Sequence, residues 1–381
     1  MTTPQTRSLL PDVRRAELLD ALRRNGTMRV SELSDLLGVS PVTVRRDIGQ
    51  LADEGVVRRL HGGAALRDAE PAGRGTRVPT EEEPDDVRAL MPGPTLSGSI
   101  GMLVPSLDYY WPGVVRGAEQ EARRHHLRVL LRGSSYESDD DGAQLDHLLA
   151  QPGIEGLILA PNLSAPGAQD LLDRLASGRV PTVLVEREAT VPPHHQFMES
   201  VVSDHASGAG AAVRHLANLG HRRIGLVMSR DSPTGPHVRR GWREACQELG
   251  FDISATVEAP VGRRQSLDFD PEIEQVIDKC LSTGTTALLV HADSEAIALV
   301  QHCQQRGLAV PGHLSIVAYD DEVADIFSPP LTAVHPPRTS VGRAAVELLA
   351  ARLADRGRPV HRVTIAPRLI LRASTAPPRQ A

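Results

Sequence analysis

The chain has 381 residues, 42 basic against 48 acidic side chains, a formal charge of −6 and 40% hydrophobic residues. That length predicts two or three domains, and the mix of apolar and charged residues excludes a chain disordered throughout. No apolar run reaches the length of a membrane span or a signal-peptide core, and Cys246, Cys280 and Cys303 lack metal-ligand spacing, so a cytoplasmic protein with free thiols, no metal and no cofactor is expected. The net charge hides an asymmetry: residues 1–67 carry +3, residues 68–97 carry −4 and the rest −5. Lys279 is the sole lysine, so an arginine at a given place says little by itself. Aromatic residues number only ten, and three are contiguous: Tyr109, Tyr110 and Trp111.

Residues 1–66 read as one small domain. Leu18, Leu19 and Leu22 lie on one face of a first helix over Arg14–Arg24, and VSELSDLLG (30–38) reads as a second, with Leu33, Leu36 and Leu37 inward and Gly38 at its end. Ser40-Pro41 starts a third helix, since serine caps and proline suits the first helical position. There Val44, Ile48 and Leu51 recur at helical spacing and face the core, leaving Thr43, Arg45, Arg46 and Gln50 on other faces. Gly55 ends the helix, and VVRRLHGGA follows as a short strand and turn bearing Arg58, Arg59 and His61. A recognition helix for the major groove with a basic wing satisfies this pattern; so does a three-helix packing module with solvated arginines.

Residues 67–98, rich in proline, glycine and charge, read as a linker. Beyond it, apolar runs of strand length at 99–104, 128–132, 155–160, 181–185, 222–228, 286–291 and 314–320 alternate with helical patterns such as Gly113–His125, His205–Leu219, Val238–Leu249 and Ser294–Arg306. Such alternation predicts an α/β fold of parallel sheets covered on both faces, here two doubly wound lobes with a cleft at the carboxyl ends of the strands. The expected lobes are 99–220 plus 335–355, and 221–334 plus 356–376.

Candidate ligand contacts follow from the strand-end rule. Asp108, Tyr109 and Trp111 lie beyond the first strand, where aromatic faces suit the C–H faces of sugars; filling a lobe interface is the alternative. Asp204, Asp293 and Asp320 follow other apolar runs; together they suit a polyhydroxylated ligand, although each alone also reads as a helix cap. No phosphate-loop, nucleophile-elbow, zinc-protease or dinucleotide motif occurs, which disfavours the rival reading of a sugar-metabolising enzyme with an accessory helix-turn-helix and leaves no catalytic residue to name. The pairs His125-His126 and His194-His195 read as surface rather than metal ligands.

Two resemblances sharpen these expectations. Val39-Ser40, Thr43–Asp47 and Arg59–Ala64 match the signature of the DeoR-type winged helix-turn-helix. The resemblance implies that Thr43, Arg45 and Arg46 contact double-stranded operator DNA, with Ser40 and Gln50 on the same helix, Arg59 and His61 in the wing, and Asp47 orienting a nearby arginine. The segments 100–122, 201–227, 239–250 and 310–337, above all GHRRIG and VPGHLSIVAYDD…PPLT, resemble the periplasmic-binding-protein-like sensor of LacI/GalR-type repressors. That implies a homodimer, a small carbohydrate effector between the lobes and an effector contact at Asp320. Two departures stand out: Ala292-Asp293 replaces the usual Asn-Asp, and Val238 occupies the place of the usual effector arginine, so that Arg239, one step later, is expected to take over. The combined expectation is a ligand-responsive transcriptional regulator, a repressor of carbohydrate-utilisation genes.

Overall fold

The computed structural model describes residues 11–25, 27–37, 39, 43, 44, 47, 48, 51, 57–60, 63–66, 98–107, 110–134, 140–230, 232–262, 264 and 266–379. Their contacts divide the chain into two units, Met1–Ala89 and Leu90–Ala381. Among the described residues no helix is long and apolar enough to cross a membrane.

In the N-terminal unit, α1 (Pro11–Asn25) and α2 (Val30–Leu37) precede helical residues at 43, 44, 47, 48 and 51. Leu18, Leu22, Leu33, Leu37, Val44, Ile48 and Leu51 close over one core, as their spacing predicts. Leu36 departs from the expectation and is 55% exposed. Packing α2 through Leu33 and Leu37, one turn apart, turns the intervening position outward. The end of α2 is fastened reciprocally: Val39 N–H donates to the Ser34 carbonyl (3.2 Å) and Ser34 Oγ to the Val39 carbonyl (2.5 Å). The single strand and turn expected after Gly55 is a hairpin, β2 (Val57–Leu60) and β3 (Gly63–Leu66), and β1 (Thr27–Arg29) completes an antiparallel sheet in the order β1-β3-β2.

The second unit contains two six-stranded sheets and a two-stranded antiparallel ribbon of β8 (Thr190–Val191) and β9 (Gln196–Phe197). The first, all parallel, runs β16-β10-β7-β6-β4-β5, with β4 (Gly98–Val104), β5 (Leu127–Gly133), β6 (Ile154–Leu159), β7 (Thr182–Val185), β10 (Glu199–Ser203) and β16 (Arg362–Ile365). The second runs β12-β11-β13-β14-β15-β17, with β11 (Ile224–Ser229), β12 (Glu258–Val261), β13 (Ala287–His291), β14 (Ser315–Tyr319) and β15 (Thr332–His335) parallel and β17 (Arg368–Ile370) antiparallel at the edge. The central strands are buried along almost their whole length, which is why they read as unbroken apolar runs.

The chain passes between the sheets three times, at 203–205, 335–338 and 365–368, and these crossings correct the expected lobe boundaries. Helix His205–Asn218, expected in the first lobe, packs Ala209, Ala212, Val213 and Leu216 with Trp242, Tyr319 and Val334 of the second. Strand β16, expected in the second lobe, pairs with β10 in the first. In each lobe two helices cross at a glycine. A Cβ on Gly342 would lie 1.9 Å from the Val114 carbonyl oxygen, and one on Gly241 would lie 2.0 Å from that of Ala206. Hydrogen at these positions lets the backbones touch.

Gly342→Ala is therefore expected to cost about 1–3 kcal/mol, read as a lower urea midpoint of the second unit. Gly142→Ala, where the nearest atom to a new Cβ is 3.7 Å away, is expected to change stability by less than about 0.5 kcal/mol. Equal effects of the two substitutions would refute the close crossing.

Candidate functional site

The carboxyl ends of both sheets face a cavity of about 590 Å³, within the usual size range of small-molecule sites. The first lobe supplies Tyr110, Trp111, Glu186 and Arg187; the second supplies His205, His291, Asp293, Asp320 and Glu322, with Arg264 and Ser232 also in the lining.

Glu186 is the hub. It follows β7 with a left-handed backbone (φ 53°), unusual for a residue with a side chain. Its Oε1 accepts from Tyr110 Oη (2.6 Å) and Ser203 Oγ (2.7 Å), and its Oε2 from the Ser203 N–H (3.1 Å). With Nε2 protonated, His205 also donates to Oε2 (3.3 Å), while its Nδ1 lies 3.0 Å from the Tyr319 hydroxyl. Burial pushes the Glu186 carboxyl up, but the hydrogen bonds and charge of His205 and the Tyr110 and Ser203 hydroxyls together hold it below its ordinary value. The hub thus joins the first lobe to the start of the first helix of the second.

A second set of bonds shapes the loop after β14. Asp320 (φ 90°) and Asp321 (φ 54°) are both left-handed, a conformation that costs on the order of 1–3 kcal/mol per residue and persists only where contacts impose it. Those contacts are present. Asp293 gathers the N–H groups of Asp321 (3.3 Å), Glu322 (2.7 Å) and Val323 (2.9 Å). Arg338 Nη1 donates to the Asp320 carbonyl (2.5 Å) and pairs with Glu322 (2.8 Å), with its guanidinium 5.8 Å from the Tyr110 ring centre. Asp321 is held by Arg372 (2.6 Å) and His335 (3.0 Å). The result turns Asp320 into the cavity. Burial raises its carboxyl to about 6 against the pull of His205 and Arg338, and burial likewise raises Asp293 to about 6.

The sequence-derived candidates divide. Trp111 and Asp320 reach the cavity; Trp111 is 2% exposed, packs into the first-lobe core and meets Tyr110 edge-on at 5.5 Å. Asp293 also lines it, but its oxygens are occupied by the 321–323 backbone, and Glu295 rather than Asp293 satisfies the Ala292 N–H at the helix start (3.1 Å). Asp204 caps its helix by accepting from the Ser207 N–H (2.9 Å). Arg239 is a correction: it pairs with Glu258 beside Arg243, and Val238 is fully buried in the second-lobe core, so neither reaches the cavity. Asp108 and Tyr109 lie outside the described residues. Tyr110, the middle member of the aromatic trio, reaches the cavity with Trp111, while Glu186, His205 and His291 fall outside the sequence-derived candidates, although the strand-end rule, applied to PTVLVER, points to Glu186.

In the N-terminal unit, Thr43 is helical and half-buried, and Arg59 lies on β2 opposite Ala64. Ser40, Arg45, Arg46, Gln50 and His61 lie outside the described residues. The arginine that partners Asp47 is Arg14, through a two-pronged contact of 2.5 and 3.1 Å. With Asp47 only 4% exposed, this pair anchors the third helix to the first.

The pH dependence of stability carries the same sign at Asp320 and Asp293, and substitution separates the two. The folded value of Asp320, about 6, lies above the ordinary 3.8, so the folded state binds its proton more tightly and stability rises as pH falls through that window. Asp320→Asn is expected to stabilise the second unit at about pH 8 by on the order of 1–3 kcal/mol, the gain fading by about pH 4. Thermal unfolding across pH measures it, and a pH-independent difference would contradict the assignment.

Comparison with known proteins agrees with this geometry. A DeoR-like helix-turn-helix domain model matches residues 14–70, and a periplasmic binding protein-like domain model matches residues 213–375. The chain is 27% identical over 353 residues to the arabinose metabolism transcriptional repressor of Geobacillus stearothermophilus, covering 90% of each chain. It is 26% identical over 282 residues to the transcriptional regulator DegA of Bacillus subtilis, covering 73% of this chain and 81% of that one. A LacI family regulator from Enterococcus faecium, solved with bound ribose, superposes with a TM-score of 0.60 at 22% identity, covering 74% of this chain and all of that one. The chain joins a DeoR-like helix-turn-helix domain to a periplasmic-binding-protein-like domain, the composition of a transcriptional regulator.

Proposed function

We propose that this protein is a cytoplasmic repressor of carbohydrate-utilisation genes, acting as a homodimer, whose DNA affinity is set by a small carbohydrate held between the two lobes of its second unit. The observation that carries this reading is the cavity between lobes, with an aromatic edge on one side and the Asp320 carboxylate on the other. An aromatic wall and hydrogen-bond acceptors together suit a sugar's apolar and hydroxyl faces. The arabinose repressor and the ribose-bound regulator among its relatives support the same ligand class. Tyr110, Trp111, Glu186 and Asp320 form the effector site in this reading.

Regulation rather than turnover suits the chemistry of the cleft. The Ser203 and Tyr110 hydroxyls both donate to Glu186, so each proton is already committed to a carboxylate that holds its neighbours in place. Ser40, Thr43, Arg45, Arg46, Gln50, Arg59 and His61 supply the operator contacts, the arginines through phosphates and base edges. Effector and operator then alter each other's affinity by the same factor, because each favours one lobe arrangement over the other.

Trp111 gives the experiment its probe. Trp242, the other tryptophan, is wholly buried in the second-lobe core with its N–H on the Ile224 carbonyl (3.0 Å), so a ligand-dependent change in emission reports the cleft. A carbohydrate that shifts this emission is expected to weaken binding to a duplex selected from a random pool. A panel of mono- and disaccharides that changes neither emission, melting temperature nor DNA affinity would overturn the reading. Arg46→Ala is expected to weaken DNA binding and lower the log–log salt slope by roughly 0.9, whereas an unchanged slope would remove Arg46 from the phosphate contacts.

A further inference from the structure

Five carboxylates line the cleft, and four are already engaged. Glu186 is held by Tyr110, Ser203 and His205; Asp293 by three backbone N–H groups; Glu295 by the Ala292 N–H and Ser294 Oγ; Glu322 by Arg338. Among the described residues the Asp320 carboxylate makes no hydrogen bond and no ion pair; Arg338 reaches its carbonyl instead. On the second lobe's helix 235–248, Val238 fills the core and Arg239 turns to Glu258, while His237 and Arg240 face the part of the cleft beside Glu186 and His205 rather than the cavity at Asp320.

A second, independent feature lies beside it. His291 is 4% exposed and lines the cavity, and among the described residues its buried Nδ1 has no hydrogen-bond partner. Burial pushes the imidazole down to about 4, so it is neutral at pH 7 and offers one donor and one acceptor. Strands β13 and β14 run in parallel register, Val290 beside Ala318, so His291 and Asp320 emerge at the same edge of the cleft. A cavity-facing anion that no described residue pairs directly, with Arg338 and His205 only nearby, stands beside a buried imidazole whose Nδ1 has no partner, and together they call for one ligand group that is rich in donors and carries positive charge.

We propose that this group is an ammonium: the cleft selects an amine-bearing polyol, an aminosugar, over the neutral sugar, and Asp320 is the residue that makes the selection. The inference rests on the cleft being the effector site. A hydroxyl would satisfy a hydrogen bond to Asp320 but leave its charge unpaired, whereas an ammonium supplies three donors and the charge together. Arg264 in the lining remains for the ligand's hydroxyls, whereas Arg187 already donates to the Pro161 and Glu186 carbonyls.

The test uses the full-length protein and matched pairs: D-glucosamine with D-glucose, D-galactosamine with D-galactose, D-mannosamine with D-mannose, followed by melting temperature and tryptophan emission at pH 7. In at least one pair the amino member is expected to bind about tenfold more tightly or better. Asp320→Asn, a substitution expected to fold well, should erase that preference, and Asp320→Glu should retain part of it. Neutral members binding as tightly as their amino partners in every pair, or a preference that survives Asp320→Asn, would overturn the inference and leave the carbohydrate reading standing. If no amino sugar and no neutral sugar binds, both fall.

Discussion

The second unit is organised around a carboxylate whose charge burial opposes. Glu186 stays ionised because Tyr110, Ser203 and His205 converge on it, and those same bonds fix where three strand ends lie relative to one another. His205 opens the helix that carries the chain into the second lobe, so the hub sits at the crossing between lobes. Its position makes it a pivot rather than a latch. Contacts next to a crossing change little when two bodies rotate about it, so Glu186 can remain satisfied while the far edges of the cleft open and close.

The second crossing is furnished in the same way, with different chemistry. Arg338 starts the helix that returns to the first lobe, yet it bonds the Asp320 carbonyl and the Glu322 carboxylate of the second. Asp321 is fastened to His335 and Arg372, residues flanking the crossings. Three consecutive acids thus have three separate tasks: Asp321 and Glu322 tie the hinge, and Asp320 is left facing the cavity. The two left-handed residues cost backbone energy that Asp293 offsets by accepting three N–H groups. Removing that carboxylate would free the loop rather than remove a ligand contact.

Much of this architecture is legible in the sequence, and the limits have physical causes. Six of the seven apolar runs are buried strands, the run 128–132 being the largely exposed edge strand β5, and Leu18, Leu33, Val44 and Ile48 close the small core, because burial imposes its period on the residues directly. Which sheet a helix covers is another matter. The apolar face of His205–Asn218 shows that the helix is packed on something, and only the crossing at 203–205 decides on what. Arg239 fails for a geometric reason: one residue along a helix is a turn of roughly 100°, so a position next to an inward one points elsewhere. Glu186 and His205 escape notice because a carboxylate and an imidazole in sequence look like solvated surface until the fold brings their partners, 76 and 114 residues distant, within reach.

The unpaired charge at Asp320 has a consequence for signalling as well as for recognition. A ligand moves an equilibrium only by its difference in affinity between two states. Asp320 belongs to the second lobe, while Tyr110 and Trp111 belong to the first, so a ligand touching both gains its full interaction only when the lobes approach. Until then the empty cleft keeps a carboxylate whose burial has raised it to about 6, an unfavourable charge at neutral pH. A ligand that neutralises this charge removes that cost, and the gain grows as the lobes approach and exclude the solvent that shares it. A residue whose charge is disfavoured in the cleft is thereby placed to convert binding into closure.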